Sequence, residues 1–114
     1  MTQQYYNEVR KQRNCEKLGI TSGQWSYIKR LGTMLENCYV NDCNGFYNEY
    51  TGKEDERRAK WNENQEARLE KNAQKFANDN KLYLYLQTDP RGATIYLDTI
   101  EIPSNNYTQA VCIY

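Results

Sequence analysis

Two long stretches of the chain carry apolar residues at helical spacing, and each predicts an amphipathic helix. In the first stretch, residues 22–42, the apolar positions recur every three or four residues: Trp25, Ile28, Leu31, Leu35 and Cys38. The second stretch, residues 53–78, is highly charged, and its thin stripe consists of Trp61, Gln65, Leu69, Ala73 and Phe76. Between the two, Cys43-Asn44-Gly45 is expected to end the first helix. Residues 46–52 are expected to form a loop.

The first 20 residues have a weaker pattern, which predicts a short N-terminal helix. This helix is expected to be attached loosely to the rest of a single domain spanning residues 1–114. Gly19 would end the helix. One face of this predicted helix carries Tyr5, Tyr6, Val9 and Arg13. The segment lacks the apolar run of a signal peptide, so secretion is not expected.

The period of the pattern changes after residue 80, where strict alternation predicts an antiparallel sheet. Residues 82–87 and 93–98 alternate in polarity, and the composition of Thr88–Gly92 between them is typical of a tight, bulged turn. Residues 110–114 are expected to form a short strand that pairs with the hairpin 82–98. Because a lone hairpin is marginally stable, helices are expected to cover one face of the sheet, which gives an α+β fold.

The alternation also separates the two faces of the hairpin. The aliphatic face, expected under the helices, consists of Leu82, Leu84, Leu86, Ala93, Ile95 and Leu97. The opposite face carries Tyr83, Tyr85 and Tyr96, with Gln87, Thr94 and Asp98 between them. Such a face is typical of cross-strand aromatic pairing or of a subunit interface. It is also typical of a platform on which a base or ring stacks, and the pattern leaves these alternatives open.

The predicted turn contains one residue whose identity the turn does not require. Asp89, Pro90 and Gly92 suit their turn positions, whereas Arg91 could be replaced by many residues. The guanidinium of Arg91 can bind a phosphate or carboxylate in a forked geometry. Asp89 would cap the turn or pair with Arg91. Arg91 is therefore the first candidate ligand-binding residue, together with Asp89, Asp98 and the three tyrosines.

Composition excludes several classes of function. The 15 Lys and Arg residues balance the 15 Asp and Glu residues, which argues against a general nucleic-acid binder. The chain has no His, the commonest general base, and its four cysteines lack the spacing of a zinc site. We therefore expect no metal, no cofactor and no catalysis, and four thiols that act as small core residues. No apolar run is long enough to span a membrane.

Several short motifs occur in an order that is similar to that of a known group. Cys43-Asn44-Gly45 precedes the charged helix, and Gln87-Thr88-Asp89-Pro90-Arg91-Gly92 leads into a strand with Tyr96. Pro103-Ser104-Asn105-Asn106-Tyr107 follows. Residues 18–114 thereby resemble a widespread group of small bacteriophage proteins of uncharacterised function. That group usually has a pair of His or Glu residues in the helix before Cys-Asn-Gly, where this chain has Asn37 and Asn41.

The resemblance implies action in the cytoplasm of an infected bacterium. Small phage proteins of this kind often counter host defence, by sequestering a nucleotide-derived signal or by blocking a host protein. One alternative is nucleic-acid binding through the basic side of the charged helix, which carries Arg57, Arg58, Lys60 and Arg68. A further alternative is an enzyme that uses Asp89 or Asp98 beside Tyr96. A homo-oligomer is expected, because sheet edges and a tyrosine face favour a partner.

Overall fold

Three helices pack on a small antiparallel sheet in the computed structural model, which describes residues 3–89, 92–102 and 110–113. The helices are α1, Gln3–Leu18; α2, Ser22–Asn44; and α3, Glu56–Asp79. The strands are β1, Tyr47–Asn48; β2, Lys53–Glu54; β3, Tyr83–Asp89; β4, Gly92–Asp98; and β5, Val111–Cys112. Helix α2 contacts α1, α3 and β4, and α3 contacts β3. The predicted α+β fold is confirmed.

Local hydrogen bonds define both ends of α2. The Thr21 hydroxyl accepts from the Gln24 N–H at 3.1 Å, and the Gln24 side chain accepts from the Thr21 N–H at 2.8 Å. This reciprocal pair is a capping box. At the other end, Gly45 has φ of +77°, which a residue with a Cβ rarely adopts, and it ends the helix as predicted. The helix extends two residues beyond the predicted end.

The segment before α3 is a miniature hairpin, so two predictions for it are wrong. Residues 46–52 are not simply a loop, and Lys53–Glu54 is a strand paired with Tyr47–Asn48. The helix begins later because Asp55 caps it: its side chain accepts from the Arg58 N–H at 3.1 Å. The Asp55 N–H donates to the Phe46 carbonyl at 2.7 Å, which joins the hairpin to the helix start.

The second sheet has the strand order β3-β4-β5, with both pairs antiparallel. The final strand pairs with β4, and the Ile113 N–H adds a bond to the Ile95 carbonyl at 2.9 Å. The predicted bulge is absent from the described pairs, since the register of β3 and β4 is continuous up to Asp89 opposite Gly92. Two residues therefore separate the strands at the hairpin tip.

The core lies between the helices and one face of this sheet. The predicted apolar face of α2 is buried at every position, from Trp25 to Cys38. The predicted stripe of α3 is buried from Leu69 onward, but Trp61 is 62% exposed, and Asn62 is buried in its place with 1% exposure. At 3.6 residues per turn, Asn62 lies within about 20° of Leu69, whereas Trp61 lies about 80° away. The helical angle thus favours Asn62 as the residue that faces α2.

Helix α1 is attached to the core through its last turns. Cys15 and Leu18 are buried, whereas Tyr5 and Tyr6 of the predicted face are both more than half exposed. The Tyr5 and Tyr6 rings instead contact each other edge to face, with centroids 6.1 Å apart. None of the described helices is long and apolar enough to cross a bilayer.

Candidate functional site

The three predicted tyrosines share the sheet face that points away from the core. Tyr85 pairs with Tyr96 across β3 and β4, and the flanking pairs are Tyr83 with Asp98 and Gln87 with Thr94. On the opposite face, Ile95 and Leu97 are fully buried. The predicted separation of the two faces is therefore present. We call the set Tyr83, Tyr85, Gln87, Thr94 and Tyr96 the tyrosine face.

The rings of this face differ in exposure and in contacts. Tyr85 and Tyr96 are partly buried, and their ring centroids lie 6.3 Å apart with planes tilted by 42°. The Tyr96 hydroxyl donates to the Gln87 side-chain oxygen at 3.4 Å. Tyr83 is 49% exposed. The arrangement offers ring surface for stacking and side-chain groups for hydrogen bonding, which together suit a planar polar ligand.

Cys112 extends the tyrosine face onto β5. It pairs with Tyr96, and its side chain is exposed. The prediction that all four thiols are core residues is wrong for Cys112 and for the exposed Cys43. The alternation of buried Val111 and Ile113 around Cys112 was the signal that could have shown its position.

Asp98 belongs to the tyrosine face by register, but its side chain is buried. It is only 6% exposed, and its Oδ1 accepts from the Thr99 N–H at 2.7 Å and from the Thr99 hydroxyl at 3.5 Å. These bonds fix the chain where β4 ends. Asp98 is therefore not positioned as an open ligand-binding or catalytic carboxylate.

Asp89 and Arg91 are the two candidates at the hairpin tip, and only the first lies within the described residues. Asp89 is the last residue of β3 and lies opposite Gly92. Arg91 and Pro90 lie outside the described residues, as does the segment 103–109 with its Pro-Ser-Asn-Asn motif. The assigned role of Arg91 stays a prediction.

A polar cluster that the sequence analysis missed joins α2 to α3. The side-chain amide of Asn62 donates to the Cys38 carbonyl at 2.9 Å and to Asp42 Oδ1 at 2.8 Å. Its oxygen accepts from the Asn41 amide at 3.4 Å. The buried amide is thus fully engaged. Polar residues occupy most positions of α3, so its sequence pattern does not distinguish Asn62 from its neighbours.

Carboxyl groups surround this amide along the same interface. Burial raises the pKa of Glu66 to about 7, and a hydrogen bond with Asp42 and the charges of Asp42, Glu70 and Glu63 add to the effect. One turn further on, the Tyr39 hydroxyl donates to Glu70 Oε1 at 2.5 Å. Burial, followed by this bond, raises the pKa of Tyr39 far above its usual range. Glu66 therefore holds a proton near neutral pH.

The basic residues of α3 are mostly engaged within the helix and its neighbours. The Arg58 guanidinium lies 5.9 Å from the centroid of the Phe46 ring. Lys60 forms an ion pair with Glu63 at 3.6 Å, and Arg68 donates to the Gln65 side chain at 2.6 Å. Acidic and polar residues thus share this surface, which weakens it as a binding site for a phosphate backbone.

The cysteines and carboxylates do not form a metal site in the described part of the chain. No group of three or more Cys, Asp or Glu side chains there could hold a metal ion. None of the four cysteines, all of which lie in the described ranges, forms a disulfide. Burial raises the pKa of both the Cys15 and the Cys38 thiol, which makes these two poor nucleophiles.

The tyrosine face is thus the surface that best combines exposed rings with hydrogen-bonding groups. Comparisons of the chain with protein-family models, with curated proteins and with solved structures find no match.

Proposed function

We propose that this chain is a non-catalytic binding protein whose tyrosine face holds the planar ring of a nucleotide-derived small molecule. The observation that carries the proposal is the Tyr85–Tyr96 pair beside the exposed ring of Tyr83, on the sheet face opposite the buried Ile95 and Leu97. Aromatic side chains on a sheet stack on flat rings, and Gln87 and Thr94 lie where ring edges need partners.

The biological setting that we propose rests on the sequence motifs. Their resemblance to small phage proteins supports a role in countering host defence inside an infected bacterium. Sequestration of a nucleotide signal fits stacking tyrosines, whereas blocking of a host protein would use the same face as an interface. A homo-oligomer is also part of the proposal, because both β3 and β5 are edge strands of the described sheet.

Nucleic-acid binding is the weaker candidate. Stacking on the same tyrosines would suit single-stranded bases, but the chain has no net charge, and the basic side chains of α3 are largely engaged. Tight and strongly salt-dependent binding of an oligonucleotide would favour this candidate over a small-molecule ligand.

The proposal predicts that Tyr83→Ala weakens ligand binding while the fold is kept. Native mass spectrometry would screen a panel of nucleoside mono-, di- and triphosphates and cyclic dinucleotides, and calorimetry would measure the affinity of those retained. Stacking on an aromatic side chain contributes about 1–3 kcal/mol, so we expect a loss of roughly tenfold or more in affinity.

Tyr50→Ala is the matched control, because Tyr50 is fully exposed in the β1–β2 turn, outside the tyrosine face. Its affinity should equal that of the unaltered protein. If no member of the panel binds, or if both variants bind equally well, the tyrosine face is not a nucleotide site. The same spectra give the oligomeric state.

A further inference from the structure

A basic groove lies at the β5 edge of the sheet, beside the tyrosine face. It is formed by α1, the first part of α2 and the end of β5, and its volume is about 320 Å³. This volume falls at the lower end of the range for small-molecule sites. The described lining includes three basic residues, one acidic residue and a residue of β5: Arg10, Lys11, Lys29, Glu8 and Cys112.

The cations of the groove have no acidic partner in the described chain. Neither Arg10, Lys11 nor Lys29 forms an ion pair there, and the one bond of Lys11 goes to the neutral hydroxyl of Ser26 at 3.2 Å. Of the described lining residues, Glu8 alone is acidic. Three like charges around one concave surface produce a positive potential that a bound anion would neutralise.

Charge is distributed unevenly along the chain, and its positive part coincides with the segment that forms most of the groove. Residues 1–35, which supply α1 and the first part of α2, contain six Lys or Arg and two Asp or Glu, a net charge of +4. Residues 36–114 contain nine and thirteen, a net charge of −4. The neutral total therefore conceals a positive side of the chain, and the groove lies on it.

The groove and the tyrosine face meet at β5. Cys112 lines the groove, and it is also the residue paired with Tyr96. Residues paired across neighbouring strands are about 5 Å apart at their Cα atoms, so the rim of the groove lies one strand away from Tyr96. A ligand of nucleotide size can therefore contact both.

We propose that this groove binds the polyphosphate part of the ligand whose ring occupies the tyrosine face. Lys11, Lys29 and Arg10 supply the charge, and the amides of Asn7 and Asn14 supply neutral donors. A single carboxylate would neutralise only part of this positive charge, whereas two or three linked phosphates would neutralise most of it. The inference rests on the proposed function for the position of the ring, but the binding of phosphate is independent of it.

Inorganic pyrophosphate tests the groove without a ring. We expect it to bind the unaltered protein, and the double variant Arg10→Gln with Lys29→Gln to weaken that binding about tenfold or more. The matched control is Lys53→Gln with Lys71→Gln, which changes the net charge equally at exposed positions on β2 and α3. An equal loss in both double variants, or a loss in neither, overturns the proposal.

A gain of affinity provides a second test that misfolding cannot imitate. Glu8→Gln removes the acidic group from the groove lining and should strengthen pyrophosphate binding severalfold. If Glu8→Gln leaves the affinity unchanged, the groove does not hold the anion.

Tyr83→Ala separates this proposal from the proposed function. It should leave pyrophosphate binding unchanged and weaken nucleotide binding. Pyrophosphate binding in the groove without any added affinity for nucleotides would retain the groove and remove the tyrosine face. Nucleotide binding that is insensitive to the Arg10 and Lys29 changes would retain the tyrosine face and remove the groove.

Discussion

Replacing Asn62 with leucine is expected to destabilise the protein by about 1–3 kcal/mol, although leucine has nearly the same shape and favours helices. The amide of Asn62 satisfies the Cys38 carbonyl at a buried position and also donates to Asp42. Leucine would remove the second partner of that carbonyl, which lies within α2, and place a methyl group against a carboxylate. Urea denaturation at pH 7 measures the free energy of unfolding.

The neighbouring residue provides the control for this prediction. Trp61 is larger and more apolar but 62% exposed, so Trp61→Ala should change the free energy of unfolding by less than about 1 kcal/mol. An Asn62→Leu protein as stable as the unaltered one would mean that the amide bonds contribute nothing net. A greater loss in Trp61→Ala than in Asn62→Leu would contradict the observed burial of Asn62 in place of Trp61.

Glu66→Gln is expected to stabilise the protein at pH 8 and to have little effect at pH 5. Burial first, and then Asp42 and the other nearby carboxylates, raises the pKa of Glu66 from its ordinary value of 4.5 to about 7 in the folded protein. The folded state therefore binds the proton more tightly than the unfolded state does. The stability contributed by that proton is complete below pH 4.5 and is lost as the pH rises through 7.

A glutamine at position 66 keeps the neutral, hydrogen-bonding form at every pH. Because Glu66 is partly exposed and solvent screens its charge, we expect a gain of about 1–2 kcal/mol at pH 8. Glu56→Gln is the control: Glu56 is exposed at the start of the same helix and is not among the charges that raise the pKa of Glu66, so it should not show this pH-dependent gain. A gain for Glu66→Gln that is equal at pH 5 and pH 8 would show that charge is not its cause.

The sequence predicted those elements whose pattern is set by burial on one side. The apolar spacing of α2 and the alternation of β3 and β4 each have one dominant face, so their elements and orientation follow from periodicity. The Gly45 stop follows from backbone sterics alone. These features are local, and they do not depend on which element packs against them.

The errors arose where a partner element decides the outcome. The burial of Asn62 in place of Trp61 depends on the polar groups that the end of α2 presents to Asn62, and the pattern of α3 alone does not contain them. Asp55 joins the β1–β2 hairpin to α3, because it both caps the helix and bonds to the Phe46 carbonyl. The basic groove is built from segments about 100 residues apart in the chain, Arg10 and Lys11 with Cys112, so no local motif could indicate it.

The contrast between the two tryptophans has a spectroscopic consequence. Trp25 is 7% exposed and lines the basic groove, whereas Trp61 is 62% exposed on α3. Indole fluorescence shifts to longer wavelength in water, so the emission of the folded protein is the sum of a shorter-wavelength and a longer-wavelength component. Iodide quenches mainly the second component. In a Trp61→Phe protein the remaining indole becomes a single reporter, sensitive both to unfolding of the core and to occupancy of the groove.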